Sequence, residues 1–228
     1  MHYNLKVYDN YHYADESEAY NHGWYEIAET ICKKLENEQR MTEVQTLYQD
    51  AIKFATYKHM EKRQKVKGTK LPYVVHLSNV AMEIFMAAPH SEDFNLIYAI
   101  QAALLHDTIE DTATTYDEIK DRFGEDIAIA VLALSKDEKL PKRKQIPDSL
   151  TRIKKLRKEV WAVKLADRIT NLQPPPSSWS RAKNLKYLKE SQTILDELKD
   201  GNQYLAKRLE DKISECRNKL KRFLIDRV

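Results

Sequence analysis

Leu96-Ile97-Tyr98-Ala99-Ile100-Gln101-Ala102-Ala103-Leu104-Leu105-His106-Asp107-Thr108-Ile109-Glu110-Asp111-Thr112 decides the fold. Ten residues, Leu96–Leu105, form the longest apolar stretch, broken only by Tyr98 and Gln101. That is far short of the about 18 residues a membrane span needs, so it reads as a buried core helix over about Asn95–His106. The helix ends on a titratable pair, His106-Asp107, followed by a second acidic pair, Glu110-Asp111. On helical geometry, spacings of three and four residues crowd all four onto one end of the helix. Carboxylates that close repel, and a bound cation relieves the repulsion.

Outward from this stretch the chain reads as helices. Thr42 is the expected N-cap of a helix running to about Lys62, with Val44, Leu47, Ala51, Phe54 and Ala55 at helical spacing. Gln64–Leu71 is a basic loop. Pro72 precedes a helix carrying His76, Val80, Ile84 and Phe85, and Pro89-His90-Ser91 breaks it. Tyr116–Phe123 is a short amphipathic helix closed by Gly124, and Ile127–Leu134 is an apolar one. Lys136–Asp148, with two prolines, reads as a loop. Leu150–Leu172 reads as one helix stopped by Pro174-Pro175-Pro176. Helices from Trp179 to about Asp200 and over Gln203–Ile225 follow.

Residues 1–25 differ. Tyr3, Leu5, Val7, Tyr11 and Tyr13 fall on odd positions, which is strand periodicity, and turn residues lie between and after them. The pattern predicts a β-hairpin closed by a helix over Tyr25–Glu38. Residues 1–40 are therefore expected to form an appendage, structural or self-associating into a homo-oligomer, beside a main domain over 41–228. The expected class is mainly α, a helical bundle with a small N-terminal β-hairpin.

Composition narrows the function. A net charge of +3 is too weak to mark a nucleic-acid binder, and no partner of that kind is expected. Lys136–Arg157 is strongly basic, whereas residues 1–40 carry eight Asp/Glu against four Lys/Arg. Cys32 and Cys216 stand apart, neither in a CxxC, and no signal peptide opens the chain. Both points suggest a reducing cytoplasm. The HExxH of zinc proteases and the Walker phosphate loop are missing.

His106-Asp107 gains meaning from what lies elsewhere. His76 sits on the preceding helix, and Asp167 lies inside the apolar run Val160–Leu172 with no nearby reason for burial. Asn171 follows Asp167 at i+4 on the same face. Two His and two Asp on three helices make a mixed N/O donor set suited to Mn²⁺, Fe²⁺ or Zn²⁺.

Three ordered motifs, Gly68–His76, Ala103–Thr112 and Val163–Leu172, resemble the HD-domain phosphohydrolases, and more closely the hydrolase domain of Rel/Spo stringent-response proteins and small alarmone hydrolases. The resemblance covers about residues 42–200. It implies an all-helical bundle. It implies His76, His106, Asp107 and Asp167 as ligands of one divalent ion, usually Mn²⁺, with Glu110 and Asp111 positioning and activating the attacking water, and Glu110 beside the metal is expected to take its proton. Asn171 would contact the nucleoside, while Tyr73 and Pro72 would shape the entrance. The implied reaction removes the 3′-pyrophosphate of guanosine tetra- or pentaphosphate, giving GDP or GTP. With no synthetase domain after residue 228, hydrolysis alone is expected.

Distal phosphates call for cations. Lys65, Lys67, Lys70, Lys136, Lys139, Lys142, Arg143 and Lys144 are the candidates. One position departs from the family. An Arg that contacts guanine usually stands about ten residues before the first ligand histidine, and Val66 stands there, with Arg63 and Lys65 nearby. Two alternatives follow: a phosphohydrolase acting on another nucleotide or phosphorylated metabolite, and a non-catalytic nucleotide-sensing module.

Overall fold

The computed structural model describes residues 16–172 and 179–225. By its contacts the chain divides into two units, Met1–Gln45 and Thr46–Val228. Helix α1 spans Glu16–Glu61. Tyr3 through Tyr13, the expected strands, lie outside the described residues, and residues 16–25 are helical. The helices expected separately over Tyr25–Glu38 and from Thr42 are one. Thr42 does not cap a start: its hydroxyl donates to the Glu38 carbonyl one turn back (3.0 Å), a bond that lets a threonine sit inside a helix.

The second unit is a helical bundle. After α1 come α2 (Val74–Ala87), α3 (Leu96–Leu105), α4 (Thr108–Asp111), α5 (Tyr116–Phe123), α6 (Glu125–Leu134), α7 (Lys142–Ile153), α8 (Lys158–Asn171), α9 (Arg181–Leu198) and α10 (Gln203–Ile225). Single 3₁₀ turns, Ala88–His90 and Lys199–Gly201, follow α2 and α9. Lys65 and Pro72 form an isolated antiparallel bridge, the one β pairing among the described residues. No described helix is long and apolar enough to cross a membrane.

Helix α8 is the axis, packing against α2, α3, α9 and α10. Leu77, Ile84, Leu104, Leu105, Leu165 and Ile169 are wholly buried there. Each such side chain contributes about 1.5–3 kcal/mol on leaving water. Polar latches set the register. The buried Glu159 carboxylate at the start of α8 accepts the Asn95 N–H (2.8 Å), and Asn95 in turn caps α3 through Tyr98 N–H (3.0 Å). Asn202 donates to Ala87 O and Ser91 Oγ (3.1 and 2.7 Å) and accepts from Leu205 N–H (2.9 Å), tying the end of α2 to the start of α10.

Two expectations are corrected here. The loop Lys136–Asp148 ends at Pro141, and α7 begins at Lys142 with Pro147 inside it. Pro147 lacks an N–H, and its place in the second turn removes only the bond to the Arg143 carbonyl. The helix expected over Leu150–Leu172 is interrupted at Lys154–Arg157, where Arg157 turns extended (φ −60°, ψ 152°). Arg152, Lys154, Lys155, Arg157 and Lys158 crowd residues 152–158, across this break. A continuous helix would align their like charges at i+3 and i+4. The break instead lays Arg157 over the Tyr98 ring (4.9 Å), and Leu156 O accepts from Trp161 Nε1 (3.2 Å).

Candidate metal centre

Three segments bring the chemistry together. His76 lies in the first turn of α2, just beyond Pro72 and Tyr73, and is buried. His106 caps the C-terminus of α3, and Asp107 follows with φ −100° and ψ 0°, in the bridge region where chains turn. Asp167 and Asn171 come from α8. The turn at His106-Asp107 separates α3 from α4, so Glu110 and Asp111 sit on a new helical turn rather than on a continuation of the core helix. Thr108 Oγ1 donates to Leu105 O (2.7 Å) across that turn, and Asp111 N–H to Asp107 O (2.9 Å).

The two imidazole Nε2 atoms face each other at 3.3 Å. Asp107 Oδ2 lies 2.9 Å from His106 Nε2 and 3.6 Å from His76 Nε2. Asp167 Oδ1 lies 3.5 Å from His76 Nε2 and 3.7 Å from His106 Nε2. Ligand atoms of His76, His106 and Asp167 fall within 4.8 Å of one another, close enough to share an ion. Side-chain exposures of 5%, 1%, 17% and 9% for His76, His106, Asp107 and Asp167 keep the cluster largely dry.

The donor set fits a divalent cation. His106 Nδ1 lies 2.6 Å from the Ala103 carbonyl, which fixes its proton on Nδ1 and turns the Nε2 lone pair into the cluster. Two Nε2 atoms and two carboxylates then converge, with Lys164 Nζ 3.3 Å from Asp167 Oδ2. Burial alone would keep the His106 ring neutral, but Asp107 and Asp167 overcome it and raise its pKa well above the ordinary value, so a second proton on Nε2 and a cation compete for the same lone pair. Burial likewise opposes the charge on the two aspartates, yet His106 beside Asp107, and Lys164 and His106 beside Asp167, keep both below the usual carboxylate range. The cluster wants positive charge at its centre, and a hard or borderline metal ion supplies it.

Neighbouring groups orient these side chains. Tyr73 donates its hydroxyl to Asp107 Oδ2, and burial and then Asp107 push the phenol pKa far up, keeping it a donor. Asn171 Nδ2 donates to Asp167 Oδ1 and to the Asp167 carbonyl (3.1 Å), so its amide serves the carboxylate at its own i−4 position. Glu110 is held at both oxygens by Lys136: Oε2 accepts its backbone N–H (2.8 Å) and Oε1 its Nζ (2.5 Å). Asp111 Oδ2 accepts from Gln64 Nε2 (2.7 Å). Burial first, then Asp107, raises the Asp111 pKa above the ordinary carboxylate value.

The remaining sequence candidates divide. Lys67 lies 5.1 Å from the Trp179 ring, and burial, Lys183 and Lys136 lower its pKa. Lys65, Lys70, Lys139, Lys142, Arg143 and Lys144 are exposed and stay outside the ligand cluster. Val66 is half-buried, its N–H donating to Leu71 O (2.9 Å). Sequence reasoning missed His59, buried against the Tyr73 ring (4.5 Å). Its signal was present: His59 continues Ala51 and Ala55 at i+4, on the buried face of α1.

Residues 51–202 match the HD domain family. The guanosine-3′,5′-bis(diphosphate) 3′-pyrophosphohydrolase MESH1 of Xenopus tropicalis is 32% identical over 165 residues, 71% of this chain and 89% of that protein. The Homo sapiens protein of the same name is 32% identical over 165 residues, covering 70% of this chain and 89% of that one. A solved structure, described as a metazoan ortholog of SpoT that hydrolyzes ppGpp and plays a role in starvation responses, superposes with a TM-score of 0.64 at 25% identity, covering 74% of this chain and 94% of that one. With two histidines and two aspartates gathered at the centre of a helical bundle, and with these relatives, this chain belongs to the HD-domain family.

Proposed function

We propose that the chain is a metal-dependent phosphohydrolase that removes the 3′-pyrophosphate of guanosine tetra- and pentaphosphate, yielding GDP or GTP and pyrophosphate. The observation that carries this reading is the meeting of His76, His106, Asp107 and Asp167 from three segments, with Nε2 and carboxylate oxygens 2.9–3.7 Å apart. The relatives' printed activity supports it. Mn²⁺ is the first candidate ion, with Fe²⁺ and Zn²⁺ also suited to the N/O donors.

When bound, the ion supplies Lewis acidity toward water and the phosphoryl oxygens. The chain supplies the rest. His76, His106, Asp107 and Asp167 hold the ion, and Tyr73 and Asn171 aim the two aspartates. Asp111, held at Oδ2 by Gln64, accepts the proton of the attacking water at Oδ1. Glu110, the expected acceptor of that proton, has both oxygens engaged by Lys136 and orders the water instead. Lys136 and Lys67 add positive charge for the phosphates of the substrate, and Asn171 borders the nucleoside.

The test is a turnover assay with Mn²⁺-loaded protein, measuring pyrophosphate and GDP from guanosine tetraphosphate. Release in the wild type and its loss in Asp107→Ala is the expected result; no release from metal-loaded protein rejects the reading. Val66, standing where a guanine-contacting Arg is expected, favours one second reading: the same chemistry on another nucleotide or phosphorylated metabolite. A phosphate-release panel across nucleotides separates the two. Tight tetraphosphate binding without turnover would instead mark a sensing module.

A further inference from the structure

Helix α1 ends in a Schellman turn. Arg63 N–H donates to Met60 O (2.8 Å), Gln64 N–H to His59 O (3.0 Å), and Arg63 takes the left-handed conformation (φ 50°). In such a turn the third-last helical residue and the residue just after the left-handed one come face to face, usually as an apolar pair. Here they are His59 and Gln64, whose side chains meet at 2.7 Å, His59 Nδ1 to Gln64 Oε1. The other end of the Gln64 amide, Nε2, lies 2.7 Å from Asp111 Oδ2.

The chemistry of the three groups fixes the direction of both bonds. A carboxylate only accepts, so Gln64 must present its NH₂ to Asp111, which turns Oε1 toward His59. His59 must then donate from Nδ1. Burial lowers the His59 pKa, in keeping with a neutral ring carrying one proton. His59 Nε2 is buried with no hydrogen-bond partner, as the Nδ1–H tautomer leaves it: a bare lone pair and no stranded proton. The Tyr73 ring, 4.5 Å away, holds the imidazole in place.

We propose that His59 and Gln64 are positioning residues for Asp111: the relay His59 Nδ1–H to Gln64 Oε1, Gln64 Nε2–H to Asp111 Oδ2, occupies one carboxylate oxygen and turns the other toward the water to be deprotonated. The relay rests on the reading of Asp111 as general base. The proton it handles stays on His59 throughout; the relay orients and does not transfer. Other charges that act on Asp111 are Asp107 and Glu110, which oppose its ionisation, and Lys136, which favours it, and its own charge acts on Lys67 and Tyr73.

Kinetics of metal-loaded Gln64→Met, Gln64→Glu, His59→Phe and the His59→Phe/Gln64→Met double variant test it, alongside Asp111→Asn. Gln64→Met is expected to lower kcat about tenfold with KM and bound metal within about twofold, since only orientation is lost. Gln64→Glu keeps the acceptor for His59 but sets an anion against Asp111, and is expected to lose more activity than Gln64→Met. His59→Phe keeps the ring and loses the donor; its loss is smaller, and the double variant matches Gln64→Met alone, the mark of a unit. ¹⁵N spectra of the wild type should show His59 as the Nδ1–H tautomer, in the folded protein with or without turnover. An Nε2–H tautomer, multiplicative losses in the double variant, or effects confined to KM or metal content overturn the relay. Full activity in Asp111→Asn overturns the base assignment itself. An inactive Asp111→Asn beside a Gln64→Met at wild-type kcat overturns the relay alone.

Discussion

At the level of single residues, the site is a set of acceptors each aimed by a donor. Asn171 shows it best. The resemblance assigns it to the nucleoside, whereas its amide is hydrogen-bonded to Asp167 Oδ1. Groups that orient a metal-binding carboxylate contribute about 10–100-fold in metal affinity. Asn171→Ala is therefore expected to weaken metal binding by that order in a chelator-competition titration; unchanged metal affinity with a raised KM would return Asn171 to substrate contact alone. The identities of His76, His106, Asp107 and Asp167 were legible in the sequence, because charged groups embedded in apolar runs demand a partner. The partners of Tyr73, Gln64 and Lys136 were not. Each of those bonds joins residues 26 to 47 positions apart, and no local spacing encodes such a meeting.

Elements carry the next set of consequences. Arg63 closes α1 in a conformation that suits glycine, at a cost of about 1 kcal/mol for a residue with a Cβ. Arg63→Gly is expected to leave the melting temperature equal or raise it slightly, and a fall in thermal unfolding would show that Arg63 makes contacts worth more than the strain. Gly201, in the 3₁₀ turn before α10, has the opposite logic. A Cβ there would stand 2.5 Å from Trp161 Cβ and 3.3 Å from Ala162 N in α8. Gly201→Ala is expected to destabilise the fold by about 1–3 kcal/mol, measured by denaturant unfolding, because neither neighbour is the tip of a flexible chain. Helix α2, the core of α3, α5, α6 and α10 were readable from periodicity and caps. The misplaced boundaries have physical causes: Thr42 bonds backward instead of capping, Pro147 sits early enough in α7 to be tolerated, and crowded cations split Leu150–Leu172.

Across the whole molecule, the centre ties α2, the end of α3 and α8 together through groups that repel when nothing lies between them. An ion that binds the folded state and not the unfolded chain adds about 2.7 kcal/mol at a hundredfold excess over its Kd. For a chain of 228 residues that corresponds to about 5–10 °C in melting temperature. Chelation should lower the melting temperature by that amount and Mn²⁺ should restore it; a melting temperature indifferent to chelator would mean that the ion contributes nothing to the fold. Helix α8 runs through the middle of the bundle, clasped on several sides and pinned at its start by Glu159. Its residues are therefore indexed like teeth on a gear. Deleting one position between Glu159 and Asp167 would wind everything downstream back by about 100° and 1.5 Å, bringing Arg168 round to the spot where the aspartate stood. Nearly every residue from Glu159 to Thr170 is buried, so this helix has no free face to absorb a shift: one step shorter sets a cation where the carboxylate belongs, and one step longer sets Ala166 there.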